Sequence, residues 1–147
     1  MRWFLPPHLF AACVIVMIAF DRFLLPGDFI LYPWKYAGIL FVLGGLALNV
    51  TAAVTFKRLK TNIIPFRDPD RLVDEGPFRH TRNPMYLGFS VILFGIAIYL
   101  GSIGPFLAVP VFVAIADRWY IPDEEKRMKA LFGAQYDAYR ARVRRWV

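Results

Sequence analysis

The sequence predicts an all-α protein, a polytopic membrane helical bundle with about four transmembrane helices and a C-terminal amphipathic cytoplasmic helix. Of its 147 residues, 58% are hydrophobic, and the mean hydropathy is +0.45. Residues 36–56 and 83–116 contain no Asp, Glu, Lys or Arg. Uncharged apolar runs of about 18 or more residues are typical of helices that cross a bilayer. We therefore interpret residues 1–147 as a single integral membrane domain.

Four apolar runs define the predicted spans, which cover residues 3–20, 34–56, 84–100 and 106–121. A charge-free turn separates the third span from the fourth, so these two form a helical hairpin. At the start of the third span, we expect the Asn83 side chain to cap the helix and Pro84 to occupy its first position.

The distribution of basic residues predicts how the spans are oriented. Residues 57–82 contain seven Lys and Arg, and residues 118–147 contain eight, whereas the connection between the first two spans has only Arg22 and Lys35. Basic segments remain on the cytoplasmic side of a membrane. Both termini are therefore expected in the cytoplasm, and we expect a multi-pass protein of the bacterial inner membrane.

The last segment of the chain has the pattern of an amphipathic helix. Its apolar residues recur at helical spacing, at Met128, Leu131, Phe132, Tyr136, Tyr139, Val143 and Trp146. Four arginines crowd its end, which suits the surface of an anionic leaflet. Gly133 is expected to bend this helix.

Composition also excludes several classes of function. The net charge of +7 follows from the positive-inside rule, and no nucleic-acid-binding motif accompanies it. No metal site is predicted, because His80 lacks enough neighbouring ligands. The single cysteine, Cys13, is interpreted as a small buried hydrophobe. A placed Ser-His-Asp nucleophile and a glycine-rich phosphate loop are both missing.

Two polar clusters are left as candidates for chemistry, at residues 72–88 and 123–125. Both lie on the predicted cytoplasmic side, so they can meet. A helix N-terminus with nearby Arg79 and Arg82 suits an anionic ligand, although either arginine could equally contact lipid headgroups. Glu124 and Glu125 could simply stabilise the dipole of the last helix.

The motif GPFRHTRNPMYLG at residues 76–88 is followed by Glu124-Glu125, Phe132-Gly133, Tyr136, Tyr139 and VRRW at residues 143–146. Together these blocks resemble the isoprenylcysteine carboxyl methyltransferase superfamily, to which phospholipid N-methyltransferases are related. The resemblance covers residues 72–147. It implies a helical membrane fold and S-adenosyl-L-methionine (S-adenosylmethionine) as the cofactor.

Matched by position, the resemblance implies eight cofactor contacts: Leu72, Val73, Phe78, Asn83, Pro84, Met85, Tyr86 and Glu124. Three positions depart from the family pattern. Asn83 stands where histidine is usual, so an imidazole role is lost. Phe78 replaces a tyrosine. Tyr120 stands where the prenylcysteine enzymes have an arginine, which weakens the case for that substrate more than the case for the cofactor.

The leading hypothesis is a membrane methyltransferase that acts on a lipophilic small-molecule or lipidated acceptor, with a carboxylate, amine or thiol as the methylated group. We expect the acceptor to enter through a lateral opening between helices, and Arg82 or Arg118 to orient its polar head. Phospholipid-amine N-methylation is the alternative within enzymes. A non-catalytic scaffold or lipid-binding protein is the alternative outside them, because glycines of the second and third spans could pack against partner helices. The sequence leaves the oligomeric state open.

Overall fold

The computed structural model describes residues 6–24, 27–60 and 69–147. Within these ranges, five α-helices follow one another: α1 (Pro6–Ala19), α2 (Ala37–Arg58), α3 (Pro84–Leu100), α4 (Ala108–Ile115) and α5 (Ile121–Arg142). Short 3₁₀ or π-helical turns flank or join them, and the described residues contain no β-strand. The predicted all-α class is confirmed.

Among the residues that the structure describes, three helical stretches are long and apolar enough to cross a membrane, namely Pro6–Leu24, Trp34–Arg58 and Gly104–Arg142. Helix α3 is a fourth apolar helix of 17 residues, a length at the lower limit for a transmembrane span. The helical membrane bundle predicted from the apolar runs is confirmed. The start of the first predicted span, residues 3–5, lies outside the described residues.

The predicted fourth span and the amphipathic helix form one continuous helical stretch. Gly104–Arg142 contains 39 residues, which gives a length of about 58 Å, roughly twice the hydrocarbon core of a bilayer. Its apolar first part, to Ile121, corresponds to the predicted fourth span. A π-helical turn at Ala116–Tyr120 joins α4 to α5. Gly133 has a non-helical backbone with φ 50°, so the expected bend is confirmed.

Helices α2 and α3 approach each other through glycines. A Cβ placed on Gly45 would lie 2.6 Å from the carbonyl oxygen of Gly88, and a Cβ on Gly95 would lie 2.6 Å from that of Gly38. Such distances are far inside van der Waals contact, so only glycine permits this approach. These four glycines pack α2 on α3 within the chain and are not free for a partner helix. Gly44 has nothing within 4 Å of its own Cβ position.

Helix α3 lies at the centre of the bundle. On the side away from α2 it packs against α1 and α4, around a core that includes Met17, Leu93 and Phe112. Cys13 is buried in the same core, as expected of a small hydrophobe. Because α3 is fixed on both sides, its N-terminal turn presents Pro84, Met85 and Tyr86 in a defined position.

Much of the apolar face of α5 packs on protein. Tyr136, Tyr139 and Val143 form a buried cluster with Leu72 of the loop before α3, and Met128 and Phe132 pack against this cluster. The expectation that this face lies on the membrane surface is therefore wrong for these side chains. The periodicity identifies an apolar face correctly but does not reveal which apolar surface covers it.

Candidate functional site

A cavity of about 450 Å³ lies where α3 begins and α5 leaves the predicted membrane region. Its volume falls within the range of small-molecule sites, about 300–1,000 Å³. The first residues of α1, the end of α2, the loop before α3 and the first half of α5 all contribute to its wall. All eight residues that the resemblance implies as cofactor contacts line it: Leu72, Val73, Phe78, Asn83, Pro84, Met85, Tyr86 and Glu124.

Glu124 brings a largely buried carboxyl group to the cavity. The Tyr86 hydroxyl donates a hydrogen bond of 2.8 Å to Glu124 Oε1. Glu124 follows Ile121 by about one helical turn, beyond the end of the predicted fourth span. Burial raises the pKa of Glu124 to about 7, although the Tyr86 hydrogen bond and the charge of Arg127 act in the opposite direction. Near neutral pH, the carboxyl group is therefore divided between its protonated and ionised forms.

Glu125, the next residue, is in the opposite electrostatic situation. Arg82 Nη2 donates to its Oε1 at 2.7 Å, and Arg145 Nη2 donates to its Oε2 at 2.6 Å. Burial alone would raise the pKa of Glu125, but the hydrogen bonds and charges of Arg145 and Arg82 outweigh burial and lower it. Glu125 is thus engaged by two arginines that favour its ionised form, whereas Glu124 keeps a carboxyl group available to a ligand.

Asn83 occupies the N-cap position of α3 but does not cap it with its side chain. Its Nδ2 instead donates to the carbonyl oxygen of Arg145 at 3.0 Å, so the predicted capping bond is wrong. The side-chain amide therefore binds the backbone of Arg145, a residue 62 positions further along the chain. Pro84 does occupy the first helical turn, as predicted.

The two predicted acceptor-orienting arginines are placed differently. Arg82 lines the cavity, and its side chain is only 9% exposed. Arg82 Nη1 donates to the carbonyl oxygens of Arg140 and Val143 at 3.1 and 3.0 Å. Its Nε is buried and has no hydrogen-bond partner within the described ranges. Arg118 has an exposed side chain and does not line the cavity.

An apolar wall completes the cavity, and sequence reasoning missed much of it. Pro6 and Pro7 of α1, Phe56 of α2 and Phe89 of α3 all belong to this wall. The Phe56 ring packs edge-on against Phe78, with ring centroids 5.2 Å apart. No local motif marks these residues, because each lies in an ordinary apolar run and reaches the cavity only through the packing of the helices.

Tyr136 and Tyr139 also line the cavity, and the Tyr139 hydroxyl donates to the carbonyl oxygen of Phe78 at 2.8 Å. The helical periodicity does identify both tyrosines, but on an apolar face expected at the membrane interface. Within residues 6–24, 27–60 and 69–147, no group of three or more His, Cys, Asp or Glu side chains is arranged to hold a metal ion.

The chain is similar to several methyltransferases. Residues 34–135 match the family model described as phospholipid methyltransferase. A protein-S-isoprenylcysteine O-methyltransferase B of Arabidopsis thaliana is 33% identical over 111 residues, which are 72% of this chain and 55% of that protein. The corresponding protein of Schizosaccharomyces pombe is 28% identical over 137 residues, or 90% of this chain and 56% of that one.

A probable protein-S-isoprenylcysteine O-methyltransferase of Oryza sativa subsp. indica is 30% identical over 114 residues, 74% of this chain and 58% of that protein. The chain thus spans a little over half the length of these curated relatives. No solved structure matches it significantly. The predicted relationship to the isoprenylcysteine carboxyl methyltransferase superfamily is confirmed, and the chain belongs to the phospholipid methyltransferase family of membrane proteins.

Proposed function

We propose that the protein is an S-adenosylmethionine-dependent methyltransferase that acts on a lipophilic acceptor at the cytoplasmic face of the membrane. The observation that carries this proposal is the convergence of all eight expected cofactor residues on one cavity. Family membership and the relatives named as methyltransferases also support it.

The residues present fit the cofactor chemically. The Glu124 carboxylate can accept hydrogen bonds from ribose hydroxyls or pair with an ammonium group. Phe78 and Tyr86 supply aromatic faces for an adenine ring or a sulfonium. Arg82 supplies a buried Nε–H that has no partner in the described structure, and unmade hydrogen bonds of this kind favour ligand binding. When bound, S-adenosylmethionine supplies an activated methyl group.

Methyl transfer requires these residues mainly to position the reacting molecules and to exclude water. It is an in-line displacement in which orientation supplies much of the rate enhancement, so a catalytic acid–base pair is not needed. The apolar wall of the cavity excludes water from the reacting atoms. Of the two candidate arginines, we assign Arg82 to the polar head of the acceptor, because Arg118 lies outside the cavity.

The acceptor would enter laterally. Pro6 and Pro7 come from α1 and Phe56 comes from α2, and both helices flank α3. We infer an opening between α1 and α2, through which a lipid chain could lie along Phe89 while its polar head reaches Arg82. A carboxylate, amine or thiol acceptor is compatible with this arrangement.

Two alternatives remain distinct from this proposal. The family model favours phospholipid-amine N-methylation, whereas the named relatives methylate S-isoprenylcysteine. Tyr120, where those enzymes have an arginine, argues against a simple transfer of their substrate. A scaffold role is less supported, because the glycines that would serve it pack α2 on α3.

The basic segments support the proposed orientation, with both termini in the cytoplasm of a bacterial cell and the protein in its inner membrane. Reporter fusions after Val147 and within residues 57–60 should both report cytoplasm, and a fusion at Gly27 should report the opposite side. Opposite locations for the first two would contradict the four-span topology.

The cofactor proposal is tested by calorimetry with S-adenosylmethionine on the purified protein in detergent. Glu124→Ala should weaken binding by about ten- to a hundredfold, the effect of losing a charged hydrogen-bond partner. Asp123→Ala is the matched control, since the Asp123 side chain is 78% exposed. Absence of binding by the unmodified protein would overturn the proposal. Transfer of a labelled methyl group in membranes, with identification of the product, then distinguishes the acceptors.

A further inference from the structure

The C-terminal tail, residues 143–147, is bound by the loop that precedes α3. The Thr81 hydroxyl and Asn83 Nδ2 both donate to the carbonyl oxygen of Arg145, each at 3.0 Å. The backbone N–H of Arg82 donates to the carbonyl oxygen of Arg144 at 2.9 Å. Three consecutive loop residues therefore hold the backbone of the tail, and two of them, Arg82 and Asn83, also line the cavity.

The Arg145 side chain turns away from that loop and joins two carboxylates of the long helix. Its Nη2 and Nε donate to Glu125 at 2.6 and 3.1 Å, and its Nη1 donates to Asp117 Oδ1 at 3.1 Å. The Trp146 indole N–H donates to the same Asp117 oxygen at 3.0 Å. The tail thus connects the loop before α3 to α5 through one residue.

Charge explains why this residue is an arginine. Asp117 and Glu125 carry two negative charges, and Arg82 and Arg145 carry two positive charges, so the network is neutral as a whole. Without Arg145, Arg82 alone would face Glu125, and Asp117 would lose its ion-pair partner. Only a planar guanidinium can bind two carboxylates on different turns with several donors at once.

We propose that Arg145 is a positioning residue of the methyl-transfer site, which holds the loop wall and the α5 wall of the cavity in register. This inference rests on the proposed function. Arg145 does not itself line the cavity, whereas Asn83, held by its carbonyl oxygen, and Glu125, held by its side chain, both do. Glu124 directly precedes Glu125 in the same helical turn, so the position of the ligand-facing carboxyl group depends on the Arg145 ion pair.

Calorimetry with S-adenosylmethionine on Arg145→Ala, Arg145→Lys and Arg144→Ala tests the proposal. Arg144 is the matched control, because its side chain is exposed and its backbone carbonyl, which the loop holds, is retained in the variant. We expect Arg145→Ala to weaken the binding of S-adenosylmethionine by about tenfold or more and Arg144→Ala to bind it normally. The affinity of Arg145→Lys should lie between those of the other two variants. In methyl-transfer assays, the KM for the cofactor should rise.

The outcomes separate the two proposals. If the unmodified protein does not bind S-adenosylmethionine, the proposed function and this inference both fall. If it binds but both Arg145 variants bind as Arg144→Ala does, only the positioning role is overturned. A purely structural role would lower the unfolding temperature and leave the affinity of the folded protein intact, which would also overturn it. Should Arg145→Ala fail to fold, Arg145→Lys decides, since it keeps the charge and loses the fork.

Discussion

The α2–α3 interface and the junction between the loop before α3 and the C-terminal tail both fix the position of α3, but by different forces. The interface is made of backbone against backbone at Gly45 and Gly88, with no charge. The junction consists of hydrogen bonds and ion pairs around Arg82 and Arg145. The α2–α3 interface is held together by shape alone, whereas the junction is held together by charge. Titratable groups that can act on a ligand occur at the junction.

The largest expected effect comes from breaking the shape of the interface. Gly45→Leu places a Cβ within 2.6 Å of a backbone carbonyl and 2.7 Å of the Ile92 side chain. A backbone carbonyl cannot move aside, so α2 must separate from α3 at a cost of at least about 1–3 kcal/mol. We expect loss of monodisperse protein in detergent, or a large fall in its unfolding temperature.

Gly44→Leu is the control for this variant, because its Cβ meets nothing within 4 Å. It adds the same side chain to the same helix one residue earlier and should leave the unfolding temperature nearly unchanged. If both variants unfolded alike, helix propensity or crowding with lipid, and not the α2–α3 contact, would be responsible.

A smaller effect is expected at the charged region, and it depends on pH. The pKa of Glu124 is raised from an ordinary value of 4.5 to about 7. A bound cofactor favours the ionised form, so affinity for S-adenosylmethionine should increase as the pH rises from 6 to 7.5, by about eightfold if binding requires the carboxylate. Calorimetry at several pH values measures this change.

Glu124→Gln should bind weakly and show little of this pH dependence, which separates Glu124 from other titrating groups. Without ligand, the same raised pKa acts on stability in the other direction. The folded state holds the proton more tightly than the unfolded chain, so the Glu124 contribution to unfolding free energy decreases as the pH rises from 4.5 through 7. An affinity that stayed constant between pH 6 and 7.5 would contradict a ligand-binding role for the ionised Glu124.

The sequence predicts the helices well because the membrane itself excludes charge. The runs at residues 36–56 and 83–116 lack charged residues for that physical reason, and they coincide with α2 and with α3 and α4. The motif at residues 76–88 also identifies residues that line one cavity, because the order of its residues matches that of the family.

Contacts between distant parts of the chain could not be predicted in the same way. Local sequence rules predict that the Asn83 side chain caps a helix. Only the folded chain shows that the carbonyl oxygen of Arg145 lies beside its amide. The apolar face of α5 is equally suited to lipid or protein, and the choice depends on Leu72, which a local pattern does not connect to it. The ion pairs of Glu125 with Arg82 and Arg145 could not be predicted from the sequence for the same reason.

The continuity of α4 with α5 has a consequence for which lipids can react. Glu124 lies three residues beyond Ile121 on the same helix, a rise of about 4.5 Å along the axis. The helix is stiff over this distance, so the depth of the carboxyl group relative to the predicted membrane surface cannot adjust to the acceptor. Under the proposed function, molecules whose nucleophile lies at that depth would meet the methyl donor, and those with longer or shorter polar heads would miss it. Depth would then select among acceptors in addition to the contact of Arg82 with the polar head.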